Sequence, residues 1–143
     1  MSKLYWEDIQ EEQELPAITK EPTTRQLVRY AGASGDFYEI HYDKDYAVGN
    51  GLPGPILHGA LKSAFLGQLV TDWIQEGGTL RRLTCQYRGM DVPGDKLTAS
   101  GKVTRKYEES GRRLVDCEIW LDNGQGERTT LGSATVELAS RES

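Results

Sequence analysis

The residues of this chain that could do chemistry are concentrated in two short segments. Asp36 and His41 lie five residues apart in the first, and His58 and Gly59 begin an apolar stretch in the second. Five extended residues span at most about 17 Å, so Asp36 and His41 can share one substrate only if the segment turns back on itself. A glycine before Asp36 and polar residues after it permit that turn. A carboxylate and an imidazole that face one water can act as a general acid and base.

The second segment predicts the start of a helix at Gly59. The first N–H groups of a helix have no intrahelical acceptor and carry the positive end of the dipole, so they can hold an oxyanion. Because Gly59 has no Cβ, we expect a carbonyl oxygen to approach these groups closely. Carboxylate, imidazole and helix-end donors together are what hydration or dehydration beside a carbonyl requires.

The two segments resemble the signature of the MaoC-like hot-dog family, which contains (R)-specific enoyl-CoA hydratases and 3-hydroxyacyl-thioester dehydratases. The resemblance implies that Asp36 and His41 bind and activate water, and that the Gly59 N–H polarises the thioester carbonyl. The residues that carry it are Ser34-Gly35-Asp36-x-x-x-Ile40-His41-x-Asp43 and Gly51-Leu-Pro-Gly-Pro-Ile-Leu-His58-Gly59.

The chain departs from the family between the two catalytic positions. Tyr38 and Glu39 stand where the family usually has Asn-Pro, which bears on the substrate class more than on the chemistry. We expect substrate contacts from Tyr38, Ile56, His58 and Gly59, and we expect His58 mainly to position the helix start. The simpler alternatives are that Asp36 only closes an Asx turn and that His41 is a buried structural histidine.

The implied activity is that of a hydro-lyase, with water added to a trans-2-enoyl thioester to give the 3-hydroxyacyl thioester. No cofactor is expected, since the coenzyme A or carrier-protein thioester is part of the substrate. No metal is expected either, because two histidines with scattered acids have no recognisable ligand spacing. Two alternatives stay open: a hot-dog acyl-CoA thioesterase, and a non-catalytic or partner-dependent subunit of a heteromeric dehydratase.

The composition predicts one domain over residues 1–143, large enough to bury a core. A net charge of −5 argues against nucleic acid as a partner. No apolar run is long enough for a bilayer, and the first dozen residues are acidic where a signal peptide would be basic, so we expect no membrane association and a cytoplasmic location. Cys85 and Cys117 are interpreted as buried thiols.

The pattern of elements predicts an α+β fold. Thr23 and Thr24 open a short helix that ends by Gly35, and an apolar helix of roughly 27 Å follows over about 59–76. Alternating apolar and polar residues then indicate four antiparallel strands. This layout matches the fold that the resemblance implies, the hot-dog fold, in which a curled antiparallel sheet wraps around one long central helix. In that family, one-domain members form dimers, and an unpaired sheet edge also favours a dimer, as a homodimer or as a heteromer with a related hot-dog subunit.

Basic residues after the long helix are candidates to meet the phosphates of coenzyme A or of a carrier-protein arm. Their spacing does not specify that role, and solvent-facing ion pairs are the ordinary alternative. These residues are Arg81, Arg82, Arg88, Arg105, Lys106, Arg112 and Arg113.

Overall fold

A computed structural model describes residues 3–142, so Met1, Ser2 and Ser143 of the predicted domain lie outside the described residues. Short 3-10 turns lie at 6–8, 39–41 and 75–77. The helices and strands, in chain order, are β1 (Ile18–Lys20), α1 (Thr24–Ser34), α2 (Lys44–Gly49), α3 (Gly59–Ile74), β2 (Gly78–Tyr87), β3 (Leu97–Glu109), β4 (Arg112–Asp122) and β5 (Arg128–Leu138).

The five strands form one antiparallel sheet in the order β1-β3-β4-β5-β2. The three-residue β1 and the ten-residue β2 occupy its two edges. Register shifts interrupt the ladders between Leu80 and Arg82 and between Val103 and Arg105, and such irregularities bend a strand and increase its twist. The sheet therefore curls over α3, and the predicted α+β fold with a sheet around one long helix is confirmed.

Helix α3 forms the centre of the core. Leu66, Leu69 and Val70 are at most 1% exposed, and the helix packs against all four long strands. It ends at Ile74, two residues earlier than predicted, because Gln75 takes a φ of 48°. A Cβ at Gly77 would lie only 2.6 Å from the carbonyl oxygen of Leu4, so the close backbone approach after the helix requires glycine there.

Both short helices begin at a side-chain cap, and α1 has the ends that the sequence predicts. Thr23 caps α1 by accepting a hydrogen bond from Gln26 N at 3.1 Å, and α1 ends at Gly35, whose φ is 79°. Asp43 caps α2 by accepting from Tyr46 N at 3.1 Å. The segment that contains Asp36 and His41 is thus held between two defined helix ends.

Residues 3–20 run along the sheet. They contain a 3-10 turn, isolated bridges from Tyr5 to Ala139 and from Glu14 to Lys102, and strand β1 at the sheet edge. Within residues 3–142, no helix has both the length and the apolar character needed to cross a membrane.

Candidate active site

Asp36 and His41 face each other across the turn that follows α1. Asp36 Oδ2 lies 3.9 Å from His41 Nε2, while the other carboxylate oxygen accepts a hydrogen bond from Tyr38 N at 3.3 Å. The Asx turn is therefore present, but it uses only one oxygen. The second oxygen of Asp36, whose side chain is 49% exposed, remains directed to the imidazole.

The ring of His41 is fixed by the backbone of the loop before α3. Its Nδ1 lies 2.8 Å from the carbonyl oxygen of Ile56, and because a carbonyl only accepts, Nδ1 carries the proton. In the neutral ring, Nε2 then has a free lone pair. Ile56 N in turn donates to the carbonyl of Ile40 at 3.0 Å, which ties this loop to the residue before His41.

His58 lies directly behind His41 and is fully buried. The two rings stack with centroids 3.8 Å apart, and Tyr30 packs edge-on against His58 at 4.8 Å. His58 Nε2 donates to the carbonyl of Asp36 at 3.3 Å, and its Nδ1 has no hydrogen-bond partner among residues 3–142. Burial lowers the pKa of His58, and the nearby His41 lowers it further, so both favour the neutral ring.

Gly59 is the first residue of α3, immediately after His58. Within residues 3–142, its N–H has no hydrogen-bond acceptor. A Cβ at Gly59 would lie 3.0 Å from the Tyr87 ring. The glycine accommodates Tyr87, whose hydroxyl shares a hydrogen bond with Ser63.

A buried ion pair supports the first turn of α3. Lys62 Nζ lies 3.1 Å from Asp91 Oδ2 and donates to the carbonyl of Gly89 at 2.8 Å. Thr129 Oγ1 donates to the same carboxylate oxygen at 2.6 Å. The backbone of Asp91 accepts from Leu57 N at 2.9 Å, so this network also holds the loop that fixes His41.

The remaining predicted substrate contacts are only partly brought to this centre. Tyr38 is half exposed and stands edge-on to His41, with ring centroids 6.1 Å apart, and equally to Tyr46 at 6.2 Å. The Ile56 side chain is buried, and its backbone serves His41. Glu39 begins a 3-10 turn and is exposed.

The predicted absence of a metal has to be weighed against the observed cluster. One ligand atom each from Asp36, His41 and His58 lie within 4.8 Å of one another. However, the stacked imidazoles are only 21° from parallel, so their in-plane lone pairs do not converge on one point as tetrahedral coordination requires. These three residues are the candidate ligands, and their geometry is poor for a metal ion.

Several residues of this site were missed from the sequence. Lys62 interrupts the apolar arc of α3 at a buried position, and a lysine there is a detectable signal of a buried partner. No sequence pattern predicts the contacts of Tyr30, Tyr87 and Asp91. Each contacts a residue of the site that is distant in the sequence, so the contact exists only in the folded chain.

Comparison with known proteins supplies the context of this geometry. The family model described as a MaoC like domain matches residues 7–120. The chain is 34% identical over 129 residues to a fatty acid synthase subunit beta of Gibberella zeae, which covers 89% of this chain and 6% of that protein. It is 27% identical over 117 residues to the 3-oxo-4,17-pregnadiene-20-carboxyl-CoA hydratase beta subunit of Mycobacterium tuberculosis, covering 82% of this chain and 85% of that one.

Solved structures share the same fold. An R-hydratase from Pseudomonas aeruginosa superposes with a TM-score of 0.88 at 21% identity, covering 97% of this chain and 88% of that one. A chain of the ChsH1-ChsH2 complex from Mycobacterium tuberculosis superposes with a TM-score of 0.80 at 20% identity, covering 90% and 98%. The hot-dog fold implied by the two segments is confirmed by these superpositions.

Proposed function

Because this chain belongs to the MaoC-like dehydratase family, we propose that it is a hydro-lyase of acyl thioesters. It adds water reversibly to a trans-2-enoyl thioester of coenzyme A or of a carrier protein and forms the 3-hydroxyacyl thioester. The proposal concerns this one reaction and not the complete activity of the fatty acid synthase relatives, because the chain spans about 6% of the relative from Gibberella zeae.

The observation that supports this reaction best is the pairing of Asp36 Oδ2 with His41 Nε2 at 3.9 Å. Both atoms are hydrogen-bond acceptors when the imidazole is neutral, so they have no proton to share with each other. A water between them can donate one O–H to each. Its oxygen lone pairs then remain available to attack an electrophilic carbon.

The proposed reaction needs only water, the enoyl thioester and the residues described above. The water oxygen bonds to C3 of the enoyl group while one water proton moves to Asp36 or His41. The C2–C3 π electrons move onto the thioester oxygen, and the resulting enolate is stabilised by the free N–H of Gly59 at the positive end of α3. The enolate then takes that proton at C2, which restores the thioester carbonyl and the deprotonated base. Dehydration is the reverse.

The other residues are proposed to shape and support this centre. His58 keeps His41 in place by stacking, and the burial that lowers its pKa disfavours a role as a proton carrier. Tyr38 contacts the substrate at the open side of the pair, and Ile56 acts chiefly through its carbonyl. We propose that no resident cofactor or metal takes part, since helix-end donors already stabilise the enolate oxygen.

We propose that the active form contains a second hot-dog subunit, identical or related. Within residues 3–142, one edge of the ten-residue β2 pairs with β5 and the other edge has no partner. An exposed edge of this length is a template for strand pairing. One similar structure is a chain of the ChsH1-ChsH2 complex, and one relative is named as the beta subunit of a hydratase. Both names favour a heteromer.

The test is to mix the purified protein with short and long trans-2-enoyl-CoA substrates while following enoyl absorbance and free thiol together. Loss of absorbance without thiol release supports the lyase. Thiol release from a saturated acyl-CoA, without hydroxyacyl product, indicates the thioesterase alternative. Loss of absorbance only after addition of a co-purified partner indicates the partner-dependent subunit.

A further inference from the structure

A cleft of about 560 Å³ opens between α1 and the first turn of α3. Two of its lining residues, Tyr30 and Leu61, lie next to residues of the candidate active site. Leu61 lies two residues after Gly59, and Tyr30 contacts His58, which stacks on His41. The outer part of the cleft is bordered by the exposed residues Arg25 and Arg29 of α1. The lining residues are Thr23, Arg25, Gln26, Arg29, Tyr30, Ala33 and Leu61.

The charges in this cleft are uncompensated within the described chain. Arg25 and Arg29 are one helical turn apart, and like charges at this spacing destabilise a helix. Arg25 also lies in the first turn of α1, where the helix dipole disfavours a cation. Helix α1 contains no acidic residue, and within residues 3–142 neither guanidinium group forms a hydrogen bond or an ion pair.

Four other arginines of this chain do have carboxylate partners. The net charge is −5, and ion pairs form at Arg81, Arg113, Arg128 and Arg141. By contrast, the adjacent Arg25 and Arg29 have none among the residues that the structure describes, and the helix dipole also opposes Arg25, so a bound anion would stabilise both cations.

The distance from these cations to the catalytic pair fits a bipartite substrate. Arg25 and Ser34 are nine residues apart on α1, which is about 14 Å at the usual rise per residue. Asp36 follows just beyond the end of the helix. Thus one end of α1 delivers a catalytic carboxylate, and the other end carries the cations at a distance that a flexible arm can bridge.

We propose that Arg25 and Arg29 bind the phosphates of the thioester carrier, with the pantetheine arm lying along the cleft toward His41 and Gly59. This inference rests on the proposed function for the identity of the ligand. Two of the basic residues named in the sequence analysis already have carboxylate partners. Arg81 pairs with Glu137, and Arg113 lies within ion-pair distance of both Glu7 and Glu108.

The first test is direct binding, which does not depend on turnover. Calorimetric titration with free coenzyme A, 4′-phosphopantetheine and pantetheine is compared between the natural chain and Arg25→Ala/Arg29→Ala. We expect the double variant to weaken coenzyme A binding about twentyfold and to leave pantetheine binding unchanged. Arg128→Ala removes an exposed arginine that does not line the cleft and should leave all three affinities unchanged.

The three ligands also separate the sources of the phosphate. An equal loss for 4′-phosphopantetheine and coenzyme A supports recognition of the arm phosphate, which carrier proteins share. A loss for coenzyme A alone supports recognition of its nucleotide phosphates. Unchanged coenzyme A affinity in the double variant, an equal loss for pantetheine, or no binding of coenzyme A by the natural chain would overturn the proposal.

The second test distinguishes this proposal from the lyase reaction itself. With an enoyl-CoA substrate, the double variant should raise KM about twentyfold without changing kcat, and rising salt should raise the KM of the natural chain more than that of the variant. Weakened coenzyme A binding in a protein that hydrates no enoyl thioester would support the phosphate site and refute the lyase. A fall in kcat with unchanged KM would refute the phosphate site alone.

Discussion

His41 is held from two directions, and each contact decides what the ring can do. The Ile56 carbonyl fixes the proton on Nδ1 at 2.8 Å, and the His58 ring covers one face at 3.8 Å. Only Nε2 is left for chemistry, on the side of Asp36. The contact with the loop therefore sets both the tautomer and the direction of the base.

Substitution of His41 by asparagine separates these two roles. The amide nitrogen of His41→Asn can still donate to the Ile56 carbonyl, but nothing replaces Nε2. We expect turnover to fall about 10²-fold to 10⁴-fold, while chemical denaturation shows a loss of less than about 1.5 kcal/mol. His41→Ala leaves the carbonyl unpaired and should unfold more readily than His41→Asn. Near-normal turnover of His41→Asn would contradict the role given to Nε2.

His58 gives the stability a defined pH dependence. Its pKa is lowered in the folded state from an ordinary value of 6.5, first by burial and then by His41. The unfolded chain therefore binds a proton that the folded chain does not, so stability is complete above pH 6.5 and falls as the pH drops toward the folded pKa. Urea midpoints at about pH 7.5 and about pH 5.5 should differ less in His58→Gln than in the natural chain. An equal difference in both proteins would show that other groups cause it.

At the scale of elements, the helix ends were predictable because short-range rules set them. Thr23, Gly35 and Asp43 cap or end their helices as their residue types indicate. Strand alternation likewise predicted the four long strands. The pairing of β2 with β5 and the crossing of the 88–92 segment over α3 were not predictable, since they depend on contacts between distant parts of the chain.

The Lys62–Asp91 pair is an element-level contact that stabilises the start of α3. Both side chains are almost fully buried, so removal of one charge leaves the other without a partner. Lys62→Met should lower the free energy of unfolding by about 3–5 kcal/mol. Lys62→Met/Asp91→Asn removes the charge of the carboxylate as well and retains an acceptor for Thr129, so it should be more stable than Lys62→Met alone. A double variant as unstable as the sum of its single variants would show that the pair is not coupled.

At the scale of the whole molecule, the open edge of β2 predicts assembly. For the protein expressed alone, we expect light scattering to give a dimer mass at micromolar concentration. Amide hydrogens of 78–87 should exchange more slowly in the dimer and faster on dilution. Those of 18–20, at the opposite edge of the sheet, provide the internal control. A monomer that retains slow exchange along β2 would contradict pairing at this edge.

The sequence identified the catalytic candidates because Asp36, His41 and Gly59 lie in two compact motifs. It did not identify Tyr87, which is distant in the chain and reaches Gly59 only through the fold. It also directed attention to basic residues of the strands, whereas the cations bordering a cleft near the site lie on α1. Motif spacing can place reacting groups, but the walls around them depend on tertiary contacts.

The most direct test of the account is the hydration rate of Asp36→Asn with a trans-2-enoyl-CoA that the natural chain converts. Asp45→Asn is the matched control, because Asp45 is an exposed aspartate in the neighbouring α2. We predict a loss of about 10²-fold to 10⁴-fold in kcat for Asp36→Asn, with an unchanged urea midpoint and full activity in Asp45→Asn. Equal kcat values for Asp36→Asn and the natural chain would contradict it.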